Sequence, residues 1–138
     1  MKTAEIAIKT SGEGDIIDIT PPVNRFVSGS GISSGIVNIF VEGSTVALTT
    51  IEYEPGVLSD LRRSLSAISP DDIPYEHDMA WGDGNGRSHV KAALIGPSLT
   101  VPVRNGAMKL GTWQQVVLLE LDIRQSRTRT LHCTVIGE

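Results

Sequence analysis

Residues 35–52, GIVNIFVEGSTVALTTIE, decide the fold class. Two runs rich in β-branched residues, 35–42 (GIVNIFVE) and 45–52 (TVALTTIE), follow each other with only Glu42-Gly43-Ser44 as their connection. Such runs favour extended backbone, where branched side chains pack well on a pleated surface. Pro55 then opens an amphipathic helix. Leu58, Leu61, Leu65 and Ile68 form its apolar stripe at helical spacing, while Asp60, Arg62 and Arg63 face water. Pro70 and Pro74 close it. Strand, strand, helix is not the strict strand–helix alternation of a parallel sheet.

The same grammar extends in both directions. Residues 3–9 (TAEIAIK) alternate polar and apolar and read as a half-buried strand, with Ala4, Ile6 and Ile8 on one face. Residues 15–19 give a second strand. Thr20-Pro21-Pro22 starts a helix, with Thr20 as N-cap, Pro21 at the first helical position, and Gly29 and Gly31 at the end. Residues 87–95 favour a short helix stopped by Gly96. Residues 98–103 alternate, Asn105-Gly106 reads as a hairpin turn, and 112–121 and 129–136 are the closing strands. Seven or eight strands and three short helices make an α+β domain with a mostly antiparallel or mixed sheet.

The bulk numbers fit a single domain spanning residues 1–138, long enough to bury a core. The net charge is −4. No basic stripe is present to track a phosphate backbone, which argues against nucleic acid as a partner. No apolar run approaches the roughly 20 residues needed to span a bilayer, so no membrane partner is expected. Cys133 is the lone cysteine, which rules out an internal disulfide and suits a reducing compartment. Its strand-like surroundings, TLHCTVIG, make it a core residue rather than a nucleophile. These features point to a cytoplasmic protein.

Chemistry concentrates in residues 75–96, YEHDMAWGDGNGRSHVKAALIG. His77 and His89 stand twelve positions apart, with Asp83 and Asn85 between them. Two histidines with a carboxylate can hold a divalent metal such as zinc, and a ligating histidine needs an acceptor to fix its tautomer. The alternative is a hydrogen-bonded loop histidine and a helix-cap histidine. The Gly-Asp-Gly-Asn-Gly run could cradle an anion through successive backbone N–H groups; a plain turn is the competing reading. The spacing of a calcium loop, with its terminal bidentate Glu, is absent.

Three further groups are candidates. Trp113 and Gln114 open the strand over 112–121, and Glu120, six residues on, falls on the same face as Gln114. Trp113 is either core or a stacking surface, Gln114 a hydrogen-bonding group for substrate, and Glu120 either functional or solvated. Arg127 and Arg129 project to one face of an extended segment, as a fork for phosphate or as a salt-bridged edge. Glu52, where a strand meets a loop, is the last candidate, with an exposed surface carboxylate as its alternative.

Read together, these segments resemble the YjbQ family, sometimes labelled secondary thiamine-phosphate synthase. The resemblance covers nearly the whole chain. It rests on Ser30-Gly31-Ile32-Ser33-Ser34-Gly35, on Glu52 before Val57-Leu58-Ser59-Asp60-Leu61, and on Tyr75-Glu76-His77. It continues through Asp83-Gly84-Asn85 to His89, Gly96-Pro97-Ser98, Leu110-Gly111-Thr112-Trp113-Gln114, Glu120, and Arg127 with Arg129. The chain departs from the pattern where the family usually has His-Thr-Thr: Gly43-Ser44-Thr45 stand there, and Ile51 replaces the Asn before Glu52.

The resemblance implies a compact α+β domain assembling as a homotrimer, with a site between subunits. It implies histidines, His77 and His89, that hold a divalent metal (zinc or magnesium) or an anion such as phosphate. The implied activity is a weak joining of a pyrimidine pyrophosphate to a thiazole phosphate. On this reading His77, His89, Asp83 and Glu52 are catalytic, while Asn85, Trp113, Gln114, Glu120, Arg127 and Arg129 bind the phosphorylated substrate. Two alternatives are a metal-assisted hydrolase of a small phosphate compound and a non-catalytic trimeric ligand-binding protein whose site has decayed at Gly43.

Overall fold

The computed structural model describes residues 1–138. Eight strands and four helices run β1 (Lys2–Thr10), β2 (Ile16–Asp18), α1 (Thr20–Gly29), β3 (Ser34–Val41), β4 (Val46–Ile51), α2 (Pro55–Ile68), α3 (Glu76–Trp81), α4 (Gly86–Ile95), β5 (Ser98–Arg104), β6 (Ala107–Met108), β7 (Gln115–Glu120) and β8 (Arg127–Gly137). A five-stranded sheet has the order β1-β8-β3-β5-β6, and a three-stranded sheet the order β2-β7-β4. Every strand pair is antiparallel, so the α+β expectation holds. The β3–β4 connection passes from one sheet to the other.

Burial explains the layering. Val37, Ile39 and Val41 of β3 and Leu131, Cys133 and Val135 of β8 pack against Val46 and Leu48 of β4, Val116 and Leu118 of β7, and Val23 and Val27 of α1. The opposite face of the three-stranded sheet carries Ala47, Val117 and Leu119, which pack against Leu58 of α2 and Ala92 of α4. The order of layers is therefore sheet, sheet, helices. β4 and β7 lie in the middle, covered on both faces, which is why β7 reads as a continuous apolar run rather than an alternation. The outer face of the five-stranded sheet has no cover. There Ile36 pairs with both Ile136 and Pro102 across the strands, and Ile36, Phe40 and Ile136 remain 44%, 41% and 50% exposed.

Several local expectations change. Thr20 is the first residue of α1 rather than its N-cap. Its hydroxyl accepts from the Val116 N–H, and Asp18 Oδ1 takes the Thr20 N–H. A true side-chain cap appears at α2, where Glu54 accepts from the Gly56 and Val57 N–H groups. The Asn105-Gly106 turn forms with φ of 53° and 74°, the positive pair that a two-residue hairpin of matching twist requires. The segment 75–96 holds two helices joined by a tight turn, so the helices number four. The strand expected from residue 112 begins at Gln115, leaving Trp113 and Gln114 in the preceding turn.

Candidate functional site

α3 and α4 bring His77 and His89 together. Their ring centroids are 4.6 Å apart and the rings are tilted by 49°. Close approach of the two helix ends makes this pairing possible. At Gly86, the first residue of α4, a Cβ would lie 2.5 Å from the Tyr75 Cβ, so only glycine fits. Gly82 closes α3 in the left-handed conformation, with φ of 66°.

His77 is held by two carboxylates. Its Nδ1 lies 3.2 Å from Asp78 Oδ1 and 3.4 Å from Asp83 Oδ1. An ionised carboxylate only accepts, so Nδ1 carries the proton and the other ring nitrogen is left for a ligand. The Gly86 N–H and the His77 ring hold the Asp78 carboxyl below its ordinary range. Asp78 was not among the residues singled out from the sequence, although its position next to His77 was a signal. His77, Asp78 and Asp83 place one donor atom each within 4.8 Å of one another. One imidazole nitrogen and two carboxylate oxygens suit a divalent cation of the zinc or magnesium type. His89 stands beside this group and is not part of it, so the three residues placed to offer ligand atoms together are His77, Asp78 and Asp83 rather than the expected His77 and His89.

The expected anion cradle is filled by the protein itself. The Asn85 N–H donates to Asp83 Oδ1 and the Gly86 N–H to Asp78 Oδ1. Asn85 is buried and faces inward. Its Nδ2 donates to Asp122 Oδ1, while its Oδ1 accepts from Ser88 Oγ and the Ile123 N–H. It fixes the start of α4, and thereby His89, rather than meeting a ligand.

The arginines share a face as expected, but that face points between the sheets. The alternation that buries Leu131 and Cys133 also buries Arg129, which pairs with Glu120 of β7. Arg127 pairs with Asp122, whose side chain is 1% exposed and which also accepts from Arg124 and Thr45. The phosphate-fork reading of Arg127 and Arg129 gives way to the salt-bridged one, because both guanidinium groups are taken by carboxylates. Asp122 went unnoticed in the sequence, where nothing separates it from a surface loop acid.

Gly43 also belongs to this end of the molecule. With Ser44, Val46 and His89 it lines a cavity of about 240 Å³. Its φ is +135°, and a Cβ there would stand 2.8 Å from Arg129 Nη1. The residue that departs from the family pattern therefore sits beside His89.

Glu52, Trp113 and Gln114 lie elsewhere. They line a cleft of about 440 Å³ at the far end of β4. Val46 borders the His89 cavity and Thr50 the cleft, so roughly 13 Å of strand separates them at about 3.3 Å per residue. Trp113 is 73% exposed, which rules out the core reading. Gln114 braces its own turn, accepting from the Gly111 N–H and donating to Thr50 Oγ1. Glu120 is at the opposite end of β7, fully buried, so the expected shared face of Gln114 and Glu120 does not form.

The family described as "UPF0047 protein YjbQ-like" matches residues 4–138. This chain belongs to the YjbQ family. A UPF0047 protein of Methanothermobacter thermautotrophicus is 41% identical over 136 residues, covering 99% of this chain and 92% of the relative. The YjbQ protein of Salmonella typhimurium is 34% identical, covering 87% of each chain. Among solved structures, a protein of Sulfolobus solfataricus described as being of unknown function superposes with a TM-score of 0.86 at 32% identity, over 99% of both chains. A hypothetical protein of Aeropyrum pernix gives 0.90 at 27% identity, over 100% of both. The YjbQ fold accounts for the whole chain, and no helix in it is long and apolar enough to cross a membrane.

Proposed function

We propose that this YjbQ-family chain is a transferase of the thiamine-phosphate-synthase type, weakly joining a pyrimidine pyrophosphate to a thiazole phosphate. The observation that carries the reading is the His77–His89 pair, with the proton of His77 directed at Asp78 and the Asp83 carboxylate close by. Pyrophosphate gains charge as it leaves, and donors already in place stabilise that charge without reorganising. The free ring nitrogen of His77 and the imidazole of His89 are such donors when protonated. In the alternative state, with the proton off the His77 nitrogen that faces Asp78 and Asp83, a zinc or magnesium ion held by these three residues would take over the neutralisation of pyrophosphate charge. Asn85 and Asp122 act as positioning residues, holding the start of α4.

The reading includes assembly as a homotrimer in the cytoplasm. The His77–His89 pair and the Glu52–Trp113 cleft lie at opposite ends of β4, so a site using both is completed by a second copy. The uncovered row of Ile36, Phe40 and Ile136 is the apolar surface that assembly would cover. Thiamine phosphate formed from the two substrates, and lost in His77→Ala and His89→Ala, is the expected result. Absence of product, or product unaffected by both substitutions, overturns it.

Two observations favour other readings. The His77–Asp78–Asp83 set suits a metal-assisted hydrolase of a small phosphate compound, whose turnover would stop on chelation. Gly43 beside His89 suits a non-catalytic trimeric ligand-binding protein, which would bind phosphate compounds and release no product.

A further inference from the structure

Lys91 is the most deeply withdrawn lysine in the chain. It is 8% exposed and stands one turn after Arg87 on α4. Its ammonium has no hydrogen-bond or ion-pair partner in the chain. Yet no enclosed polar atom anywhere in the molecule is left unsatisfied. The ammonium is therefore open to solvent, and Lys91 lines a cavity of about 240 Å³ between α4, α2 and the β1–β2 loop. This is a different face of α4 from the one that carries His89, which borders Gly43 and Ser44.

The charges around this cavity do not cancel. Arg87 and Glu13 satisfy each other through two bonds of 2.8 Å. Arg62 directs its Nε to the Gly14 carbonyl and keeps its terminal nitrogens free. Arg62 and Lys91 then face one remaining carboxylate, Asp71, which is exposed and forms no ion pair with either. The stem of Lys91 is buried while its unpartnered ammonium stays open to solvent, so an anion in the cavity would supply the counter-ion that the chain does not. Ser66 adds a hydroxyl to the same wall. The cavity is smaller than the roughly 300 Å³ at which sites for whole organic ligands begin, so it fits a small anionic group.

We infer that the Lys91 cavity is a phosphate-binding site, taking inorganic phosphate or the phosphate end of a small molecule on Lys91, Arg62 and Ser66. A phosphate has enough acceptor oxygens to meet the ammonium, a guanidinium and the hydroxyl together, and bonds between charged partners are the strong ones. The site is independent of the His77–His89 pair, and each can stand if the other fails.

The test is a titration of the intact protein with inorganic phosphate, followed through backbone amide NMR signals at constant ionic strength. Saturable shifts at Leu65, Ser66, Asp71 and Arg87 are expected. Lys91→Met, which keeps the apolar stem, should weaken them at least about tenfold, and Lys91→Arg should retain them. Arg62→Gln, at an exposed position, gives the same reading if Lys91→Met does not fold. In the wild type, phosphate should also slow acetylation of Lys91 relative to Lys2 and Lys9. His89→Ala should leave all of these effects in place. Phosphate shifts confined to the surroundings of His77 and His89, no saturable shift, or shifts unchanged in Lys91→Met and Arg62→Gln each overturn the inference.

Discussion

The guanidinium of Arg129 and the carboxylate of Glu120 pair between the two sheets, at 3% and 0% side-chain exposure. Arg129 Nε donates to Glu120 Oε1 at 2.8 Å, and Arg129 Nη2 donates to Thr45 Oγ1 at 2.9 Å. Thr10 Oγ1 also donates to Glu120 Oε1, at 2.7 Å. The pair thus ties β8 and β1 of one sheet to β7 and the start of β4 of the other. Removing one partner strands the other in a dry environment. Arg129→Met should therefore lower stability by about 3–5 kcal/mol, and the Arg129→Met/Glu120→Met double variant should recover much of it. Urea unfolding of the three proteins measures both values. Equal losses in single and double variants would contradict the account.

Acid should unfold the protein through the same layer. Burial pushes the Glu120 carboxyl up, but Arg129, Thr10 and the Asp122 N–H outweigh it and hold Glu120 below its ordinary value of 4.5. Burial likewise opposes the ionised form of Asp122, and bonds from Arg124, Thr45 and Asn85 overcome it, lowering it from 3.8. A carboxyl depressed in the folded state contributes its full stabilisation above its unfolded value. It loses that stabilisation as pH falls toward the folded one. Stability should thus fall steeply below about pH 4, and Asp122→Asn should make that dependence shallower. Denaturant midpoints from pH 6 down to pH 2 test this; an unchanged slope in Asp122→Asn would refute it.

Gly43→His, which restores the residue type of the family pattern, should destabilise the chain. At φ of +135° any side chain is strained, and the added Cβ meets Arg129 Nη1 at 2.8 Å. Arg129 cannot swing away cheaply, because it is locked to Glu120. The expected loss is about 1–3 kcal/mol, with Gly43→Ala showing a similar loss from the same backbone strain. Thermal unfolding of both variants decides it. Unchanged stability in both would mean the loop relaxes freely.

Cys133 should be inert in the folded protein. Burial pushes its thiol up to about 11, and it packs between Leu131 and Val135. Labelling with a thiol reagent at pH 8 should proceed only in denaturant. Rapid labelling of the native state would show that this part of the core opens.

Both tryptophans lie outside the core, with Trp81 77% and Trp113 73% exposed. Unfolding an isolated chain should leave the wavelength of fluorescence emission almost unchanged. A blue-shifted native emission that moves red on dissociation would mean that a second copy covers one of them. Trp81→Phe and Trp113→Phe would identify which.

Residues 35–52 and the alternations around them determined the α+β class, the positions of most strands and the inward burial of Cys133, because period-two and helical spacing are local properties of the chain. The ordered motifs from Ser30 to Arg129 were enough to indicate the family. The grouping of the site residues was decided only by the tertiary structure. The sequence places Arg127 and Arg129 on one face of a strand, but only the second sheet makes that face an interior and supplies Glu120 and Asp122 as partners. Glu52 and Trp113 carry family motifs as clear as those around His77, yet β4 holds the two groups apart by its length. Lys91 shows the converse. It looks ordinary in sequence and gains its setting from Arg62 and Ser66, which long-range packing brings to the same cavity.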